Sequence, residues 1–235
     1  MRKAVLFDLD GTLLPMDPDV FIRDYLNRMV MRLAPHGYAP KDLVEAIWRG
    51  TGAMVKNDGR RTNEYVFWEN FCNIFGENAR KDEPIFEAFY REDFQEVRAS
   101  CGYAPIASEI IAMLKQKGLR LILATNPLFP RIATESRIRW AGLELADFEW
   151  VTTYENSSYC KPNPEYYREI LDKMQLQPSD CIMVGNDVGE DMIARQLGLD
   201  VFLVTDCLIN KNQSDISRYP HGSLRDLKAY LENNL

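Results

Sequence analysis

Histidine is scarce in this sequence, and its cysteines show no pairing pattern. Only two of the 235 residues are histidine, His36 and His221, so a metal site built from several imidazoles is excluded. The five cysteines are an odd number without a C-x-x-C pair, at positions 72, 101, 160, 181 and 207. A disulfide framework or a zinc knuckle is therefore disfavoured, and we expect reduced thiols in a cytoplasmic protein.

Long apolar runs and an excess of basic charge are missing as well. No apolar run approaches the roughly 20 residues that cross a bilayer, and the amino terminus lacks a secretory pattern. Lysine and arginine number 28 against 35 aspartates and glutamates, a formal net charge of −7. Non-specific binding to nucleic acid or to an anionic membrane is therefore not expected. The oligomeric state stays open.

What the sequence does contain is a series of short apolar runs separated by helical patterns. Most runs are apolar at successive positions, which is typical of strands buried on both faces of a parallel sheet. They cover residues 4–7, 119–124, 148–153, 181–184 and 201–204. Helical spacing of apolar residues predicts helices over 106–116, 130–140, 164–174 and 190–197. This alternation indicates an α/β fold, a doubly wound, Rossmann-like domain with a parallel sheet.

Residues 15–99 break the alternation, because they contain no clear buried strand. Helical patterns cover 20–33, 41–48, 63–75 and 84–97. A glycine-flanked turn is expected over 50–56. The segment is rich in aromatic residues, which we expect to form a small helical core or, alternatively, to line part of a substrate pocket. We therefore predict an α/β catalytic core, residues 1–14 and 100–235, with an inserted all-α cap, residues 15–99.

Polar and charged side chains follow four of the predicted strands. They are Asp8 and Asp10 after the first, Thr125 and Asn126 after the second, Lys161 after the third, and Asn186, Asp187 and Asp191 after the fourth. In a parallel sheet, ligands bind beyond the carboxyl ends of the strands. Paired acids repel each other unless a cation intervenes, and Mg²⁺ prefers such oxygen ligands. Lysine and threonine would supply positive charge and a donor to phosphate oxygens.

These motifs and their order resemble those of the haloacid dehalogenase superfamily. Its hallmark, D-x-D-x-T after the first strand, is Asp8-Leu9-Asp10-Gly11-Thr12 in this sequence. The helical segment also lies where capped members carry their cap, between the first and second motifs. The resemblance implies a Mg²⁺-dependent phosphatase that acts on a small phosphorylated metabolite through an aspartyl-phosphate.

The resemblance also implies a role for each motif residue. Asp8 would attack the phosphorus, and Asp10 would protonate the leaving oxygen and then deprotonate water. Thr12 would fix the geometry of the loop that carries both acids. Groups that would bind the phosphate are Asp8, Leu9, Asp10, Thr125, Asn126 and Lys161.

The fourth motif departs from the family pattern. It usually begins Gly-Asp, whereas here Gly185 is followed by Asn186 and only then by Asp187. Mg²⁺ would be held by Asp8, by the main-chain carbonyl of Asp10 and by either Asn186 or Asp187. We favour Asp187 because the amide of Asn186 brings no charge. Asp191 would act through water or by holding Lys161.

Other activities are compatible with parts of this pattern. A dehalogenase is disfavoured, because that chemistry does not need an acid at position 10. A phosphomutase or a phosphonate-cleaving enzyme stays an alternative, the latter with a cap lysine such as Lys41 or Lys56. A regulatory or binding protein on a scaffold that has lost catalysis is a further alternative. The intact set of Asp8, Asp10, Thr125 and Lys161 argues against it.

Overall fold

The sheet observed in the computed structural model, which describes residues 3–235, has six parallel strands. In chain order they are β1 Ala4–Phe7, β2 Arg120–Leu123, β3 Trp150–Val151, β4 Cys181–Gly185, β5 Asp200–Val204 and β6 His221–Gly222. Their order across the sheet is β3-β2-β1-β4-β5-β6. The first strand therefore lies in the middle, with β2 and β4 as its neighbours. The predicted doubly wound α/β fold is confirmed.

The five predicted strands are all present, and burial explains why their sequences are apolar at successive positions. On β1, Val5 and Phe7 pack into one apolar cluster, whereas Ala4 and Leu6 pack into the cluster on the opposite face. The strand expected over 148–153 is only two residues long. The sixth strand was not predicted, because two residues form no recognisable pattern.

Helices cover both faces of the sheet. Those outside the insert are α5 Pro105–Gln116, α6 Arg131–Trp140, α7 Pro164–Met174 and α8 Leu224–Asn234. The helix predicted over 190–197 is confirmed only in part: it is a short 3₁₀ helix, Met192–Leu197, which ends at Gly198 as expected. Residues 187–191 form turns instead, because the side chains of Asp187 and Asp191 accept hydrogen bonds from main-chain N–H groups within this segment. Among the helices of residues 3–235, none is long and apolar enough to cross a bilayer.

Residues 15–99, the predicted insert, are helical, as expected. Their α-helices are α1 Pro18–Leu33, α2 Pro40–Val55, α3 Asn63–Phe75 and α4 Glu83–Arg91. The turn predicted over 50–56 is wrong, because α2 continues through it. Gly50 instead lets α2 approach α3 closely: a Cβ there would overlap the ring of Phe67. The predicted helix 84–97 is divided into α4 and a 3₁₀ helix, Asp93–Ser100, and Gln95 Nε2 donates to the carbonyl of Tyr90 at the break.

The aromatic residues of the insert do not form a separate core. Tyr25, Phe89 and Phe94 are buried in the same apolar cluster as Val5 and Phe7 of β1. Tyr25 and Phe94 also contact the ring of Phe129, which follows β2. The cluster therefore runs without interruption from the helical insert to the sheet. The boundaries of the predicted cap, 15–99, stay a prediction.

Candidate active site

The loop after β1 lies in contact with the loop after β4. The N–H of Asp8 donates to the carbonyl of Val184, 2.9 Å away, and so extends the pairing of the two strands. Gly11 has a φ of +82° and lies against the side chain of Asn186, where a Cβ would overlap the amide. Glycine is required here for both its backbone conformation and its small size.

Lys161 joins two of the predicted site acids. Its Nζ donates to Asp8 Oδ1 at 2.8 Å and to Asp191 Oδ1 at 2.7 Å. The lysine side chain is 1% exposed. Burial acts to lower the pKa of Lys161, but the carboxylates of Asp191 and Asp8 outweigh burial and hold that pKa well above its usual value. The ammonium therefore stays charged between the two acids.

Asp191 is itself fixed by the loop that carries it. Its Oδ2 accepts a hydrogen bond from the N–H of Asp187 at 2.9 Å, which leaves Oδ1 for Lys161. A Cβ on Gly185 would overlap the carboxyl group of Asp191. The glycine that ends β4 thus makes room for the acid that holds the lysine.

The two fourth-motif candidates for a metal ligand lie in different surroundings. Asn186 Oδ1 is 3.0 Å from the hydroxyl of Thr12, which is also 3.1 Å from Asp8 Oδ2. Its Nδ2 donates to the carbonyl of Cys207 at 2.7 Å. Asp187 Oδ1 instead accepts hydrogen bonds from the N–H groups of Gly189, at 2.7 Å, and Glu190, at 3.0 Å. Asn186 thus faces the first motif, whereas Asp187 closes its own turn.

Asn126 connects three of the predicted site loops. Its Oδ1 accepts from the N–H of Lys161 at 3.2 Å, and its Nδ2 donates to Glu190 Oε2 at 3.0 Å. Thr125 is buried, and its carbonyl accepts from Tyr166 Oη at 2.8 Å. Burial raises the pKa of Glu190, an acid that the sequence analysis did not select.

Leu9 can take part in phosphate binding only through its main chain. Its side chain is fully buried in the apolar cluster that also contains Val5 and Phe7 of β1. Its carbonyl accepts from the N–H groups of Thr12 and Leu14, which closes the turn after Asp8.

Asp10 has a partner that sequence reasoning missed, the guanidinium of Arg137 on α6. Arg137 Nη1 donates to Asp10 Oδ2, and the arginine side chain is fully buried. Asp10 Oδ1 is buried and has no hydrogen-bond partner among residues 3–235. Burial raises the pKa of Asp10, and the Arg137 cation opposes that rise. One signal in the sequence could have indicated a buried charge at Arg137. This residue is four positions from both Ala133 and Ala141 and so lies on the apolar face of the predicted helix.

The donor set at this edge of the sheet fits a hard cation in kind. It offers the carboxylate of Asp8, the carbonyl of Asp10 and the amide oxygen of Asn186, and Mg²⁺ takes oxygen ligands. Across residues 3–235, no three carboxylate, imidazole or thiolate groups gather in a way that could hold a metal. A cation would therefore need the neutral oxygens of this site in addition to its acids.

A cavity of about 110 Å³ lies between the helical insert and the loop after β2. Aromatic and aliphatic side chains dominate its lining, among them Tyr25, Met29, Trp68, Phe86 and Phe129. The predicted site residues are not part of that lining. Some aromatic residues of the insert do, therefore, line a pocket.

Known proteins resemble this chain in both sequence and fold. A family profile described as haloacid dehalogenase-like hydrolase matches residues 2–204. A phosphoglycolate phosphatase of Nitrosospira multiformis is 27% identical over 210 residues, 86% of this chain and 82% of that protein. The acyl-CoA dehydrogenase family member 10 of Mus musculus is 27% identical over 206 residues, but the match spans only 18% of that protein. A 2-haloacid dehalogenase of Pseudomonas syringae has the same fold, with a TM-score of 0.64, 22% identity and 99% of each chain covered.

Proposed function

This chain is a phosphatase that belongs to the haloacid dehalogenase-like hydrolases, and we propose that it hydrolyses a phosphoric monoester, with Mg²⁺, through an aspartyl-phosphate on Asp8. The observation that carries this proposal is the contact of Lys161 with Asp8 Oδ1, 2.8 Å, at the carboxyl edge of the central strand. A buried cation at this distance can orient the attacking carboxylate and offset the negative charge of a phosphate bound beside it.

The reaction has two steps. In the first, an oxygen of Asp8 attacks the phosphorus, the bond from phosphorus to the leaving oxygen breaks, and Asp10 gives that oxygen a proton. In the second, Asp10 takes a proton from water, the water oxygen attacks the phosphorus, and the bond to Asp8 breaks. The products are the alcohol, inorganic phosphate and a free Asp8.

The remaining site residues bind and orient the phosphate. Lys161 supplies positive charge beside the nucleophile, and Thr125 and Asn126 offer polar groups at the end of β2. The main-chain N–H groups of Leu9 and Asp10 add donors from the first loop. Thr12 holds the carboxylate of Asp8 through a 3.1 Å contact to Oδ2.

For the metal we infer a different fourth-motif ligand from the one that the sequence favours. Asp8, the carbonyl of Asp10 and Asn186 would hold Mg²⁺, because Asn186 faces the first motif while Asp187 Oδ1 accepts hydrogen bonds from its own turn. Asp191 would act by holding Lys161. When bound, the cation would shield the charge of the phosphate from that of Asp8.

The proposed substrate is a small phosphorylated metabolite in the cytoplasm. The named substrate of a relative, phosphoglycolate, is one candidate within that class. The cytoplasmic location is supported by the odd number of cysteines and the absence of a C-x-x-C pair in the sequence. A screen of sugar phosphates, nucleotides and phospho-acids, with and without Mg²⁺, would identify the substrate.

The decisive experiment combines turnover with detection of the phosphoenzyme. Wild-type protein should hydrolyse p-nitrophenyl phosphate or acetyl phosphate when Mg²⁺ is present, and quenched samples should carry one phosphoryl group on the peptide with Asp8. Asp8→Asn should lower kcat by a factor on the order of 10⁴ or more, because the covalent route is lost.

The matched control is Asp42→Asn, the same change at an exposed position on α2, which should keep full activity. Retained turnover in Asp8→Asn would contradict the assigned nucleophile. Absence of turnover in folded wild-type protein would instead favour a regulatory or binding role.

A further inference from the structure

The ion pair between the buried Arg137 and the partly exposed Asp10 connects α6 to the first motif. The guanidinium also lies 4.4 Å from the centre of the Phe129 ring, and its Nη2 donates to Thr134 Oγ1 at 3.2 Å. Its Nε lies 3.4 Å from the carbonyl of Ala133. The planar cation is thus held by an aromatic ring, a hydroxyl and a carbonyl as well as by the carboxylate.

Neither stability nor solubility explains a charged pair at this place. A buried ion pair is often no more stable than apolar residues of similar volume, because both charges lose their hydration. Arg137 and Asp10 are also 127 residues apart in the chain, so the pair does not arise from local helix formation.

The two oxygens of Asp10 have different surroundings. Oδ2 accepts from Arg137, whereas Oδ1 is buried without a hydrogen-bond partner among the described residues. A carboxyl group attached at one oxygen cannot rotate freely, so the other oxygen keeps one direction. The carboxyl group as a whole thus keeps one orientation, which a proton donor needs if it must reach a single atom of a bound substrate.

We propose that Arg137 is a positioning residue, which fixes the carboxyl group of Asp10 through Oδ2 in the orientation that its proton transfers require. This inference rests on the proposed function. In the first step the proton leaves the carboxyl group of Asp10 for the leaving oxygen as the bond between phosphorus and that oxygen breaks. In the second step the carboxylate recovers a proton from the attacking water.

The test uses substrates that differ in their need for a proton. The value of kcat/KM reports the steps up to loss of the leaving group. The p-nitrophenolate of p-nitrophenyl phosphate leaves without a proton, whereas the alcohol oxygen of β-glycerol phosphate needs one. In Arg137→Met, kcat/KM for β-glycerol phosphate should fall about 100-fold, the size of a general-acid contribution. For p-nitrophenyl phosphate it should fall less than about threefold.

Two further variants give the comparison its controls. Arg137→Lys keeps the cation but loses the planar fork of the guanidinium. The ratio of kcat/KM for β-glycerol phosphate to kcat/KM for p-nitrophenyl phosphate should therefore fall only about tenfold. Arg139→Met removes an exposed arginine from the same helix and should leave the ratio unchanged. If Arg137→Met does not fold, Arg137→Lys alone still tests the inference.

A measurement without substrate tests the contact itself. Arg137→Met leaves the partly buried carboxylate of Asp10 without its cation and should lower the melting temperature by about 5 °C. The same change in an Asp10→Asn background should cost much less, because a neutral amide does not need the cation. Equal losses in the two backgrounds would contradict the pairing.

The outcomes separate this inference from the proposed function. Wild-type turnover with an equal fall of kcat/KM for both substrates would overturn the positioning role alone, since a merely structural defect affects both. A rise of activity in Arg137→Met would also overturn it, because the pair would then restrain Asp10. Absence of wild-type turnover would overturn the proposed function and the role of Arg137 with it.

Discussion

The ammonium of Lys161 lies 2.8 Å from the carboxylate of Asp8, and both side chains are almost fully buried, at 1% and 10% exposure. The same ammonium contacts Asp191 at 2.7 Å, so one cation faces two carboxylates. Buried carboxylates close to each other repel, and the lysine offsets this repulsion. The pair therefore contributes to folding as well as to the proposed chemistry.

Replacing Lys161 should destabilise the protein and abolish turnover together. Lys161→Met leaves Asp8 and Asp191 buried without a cation, and the free energy of unfolding should fall by about 3–5 kcal/mol. Turnover of p-nitrophenyl phosphate should fall at least about 100-fold, as for loss of a phosphate-binding donor. Urea unfolding and steady-state kinetics measure the two effects.

The control for Lys161→Met is Lys173→Met, which removes the exposed lysine of an ion pair with the partly buried Glu169. Such surface pairs contribute at most about 1 kcal/mol, so stability and turnover should change little. Stability losses of similar size in the two variants would contradict the structural role of Lys161.

Gly11 offers a test of how closely the first and fourth loops must approach. Gly11→Ala should cost about 1–2 kcal/mol of stability for its positive φ and should also reduce kcat about tenfold or more, because the new Cβ displaces Asn186. Gly37→Ala is the matched control: its φ is +93° and no atom lies within 4 Å of the added Cβ. Both variants carry the backbone strain of a positive φ, but only Gly11→Ala places a Cβ against Asn186. Only Gly11→Ala should therefore lose activity.

Much of the site could be predicted because strand ends meet at one edge of a parallel sheet. That rule places Asp8 and Thr125, which closely follow β1 and β2, at the same edge of the sheet. Lys161 comes ten residues after β3 ends, so its contact with Asp8 depends also on the loop that carries it. Which of Asn186 and Asp187 faces the first motif could not be predicted. It depends on the turn after β4, in which Asp187 Oδ1 accepts hydrogen bonds from the N–H groups of Gly189 and Glu190.

Arg137 shows a different limit of sequence reasoning. Helical spacing places it on the face of α6 that carries Ala133 and Ala141, but spacing does not show what a buried charge meets there. The partner, Asp10, is 127 residues away, and the guanidinium that contacts it also lies over the ring of Phe129. By contrast α8 had a readable pattern, Leu224, Leu227 and Leu231, all buried, which the sequence analysis did not use.

Exchanging the fourth-motif residues should reveal which one holds the metal. Asn186→Asp adds a charge to the proposed ligand, so the Mg²⁺ concentration for half-maximal activity should fall about tenfold, equivalent to about 1.4 kcal/mol. The variant loses the donation from Nδ2 to Cys207 and should be about 1 kcal/mol less stable. Metal titration of activity and urea unfolding provide the measurements.

Asp187→Asn is the matched change for this comparison. Its amide oxygen can still accept from the N–H groups of Gly189 and Glu190, so the Mg²⁺ requirement should stay within about twofold. An increase of more than about tenfold would show that Asp187 is the ligand, as the sequence favours.

The hydroxyl of Tyr25 should make stability depend on pH in the alkaline range. It lies 2.9 Å from the hydroxyl of Tyr90, and burial raises the pKa of Tyr25 from 10.0 to about 12. The folded state therefore keeps the proton more tightly than the unfolded chain does. The resulting stability is complete below about pH 10 and is lost as pH rises towards about 12.

Tyr25→Phe should accordingly change its cost with pH. At pH 8 the variant should be about 1 kcal/mol less stable than wild type, because the hydrogen bond to Tyr90 is lost. At pH 11 the wild type loses about 1.4 kcal/mol through Tyr25, so the two proteins should be nearly equal in urea unfolding. Tyr65→Phe, an exposed tyrosine of α3, should show the same small cost at both pH values. A cost of Tyr25→Phe that does not change with pH would show that Tyr25 titrates alike in the folded and unfolded states.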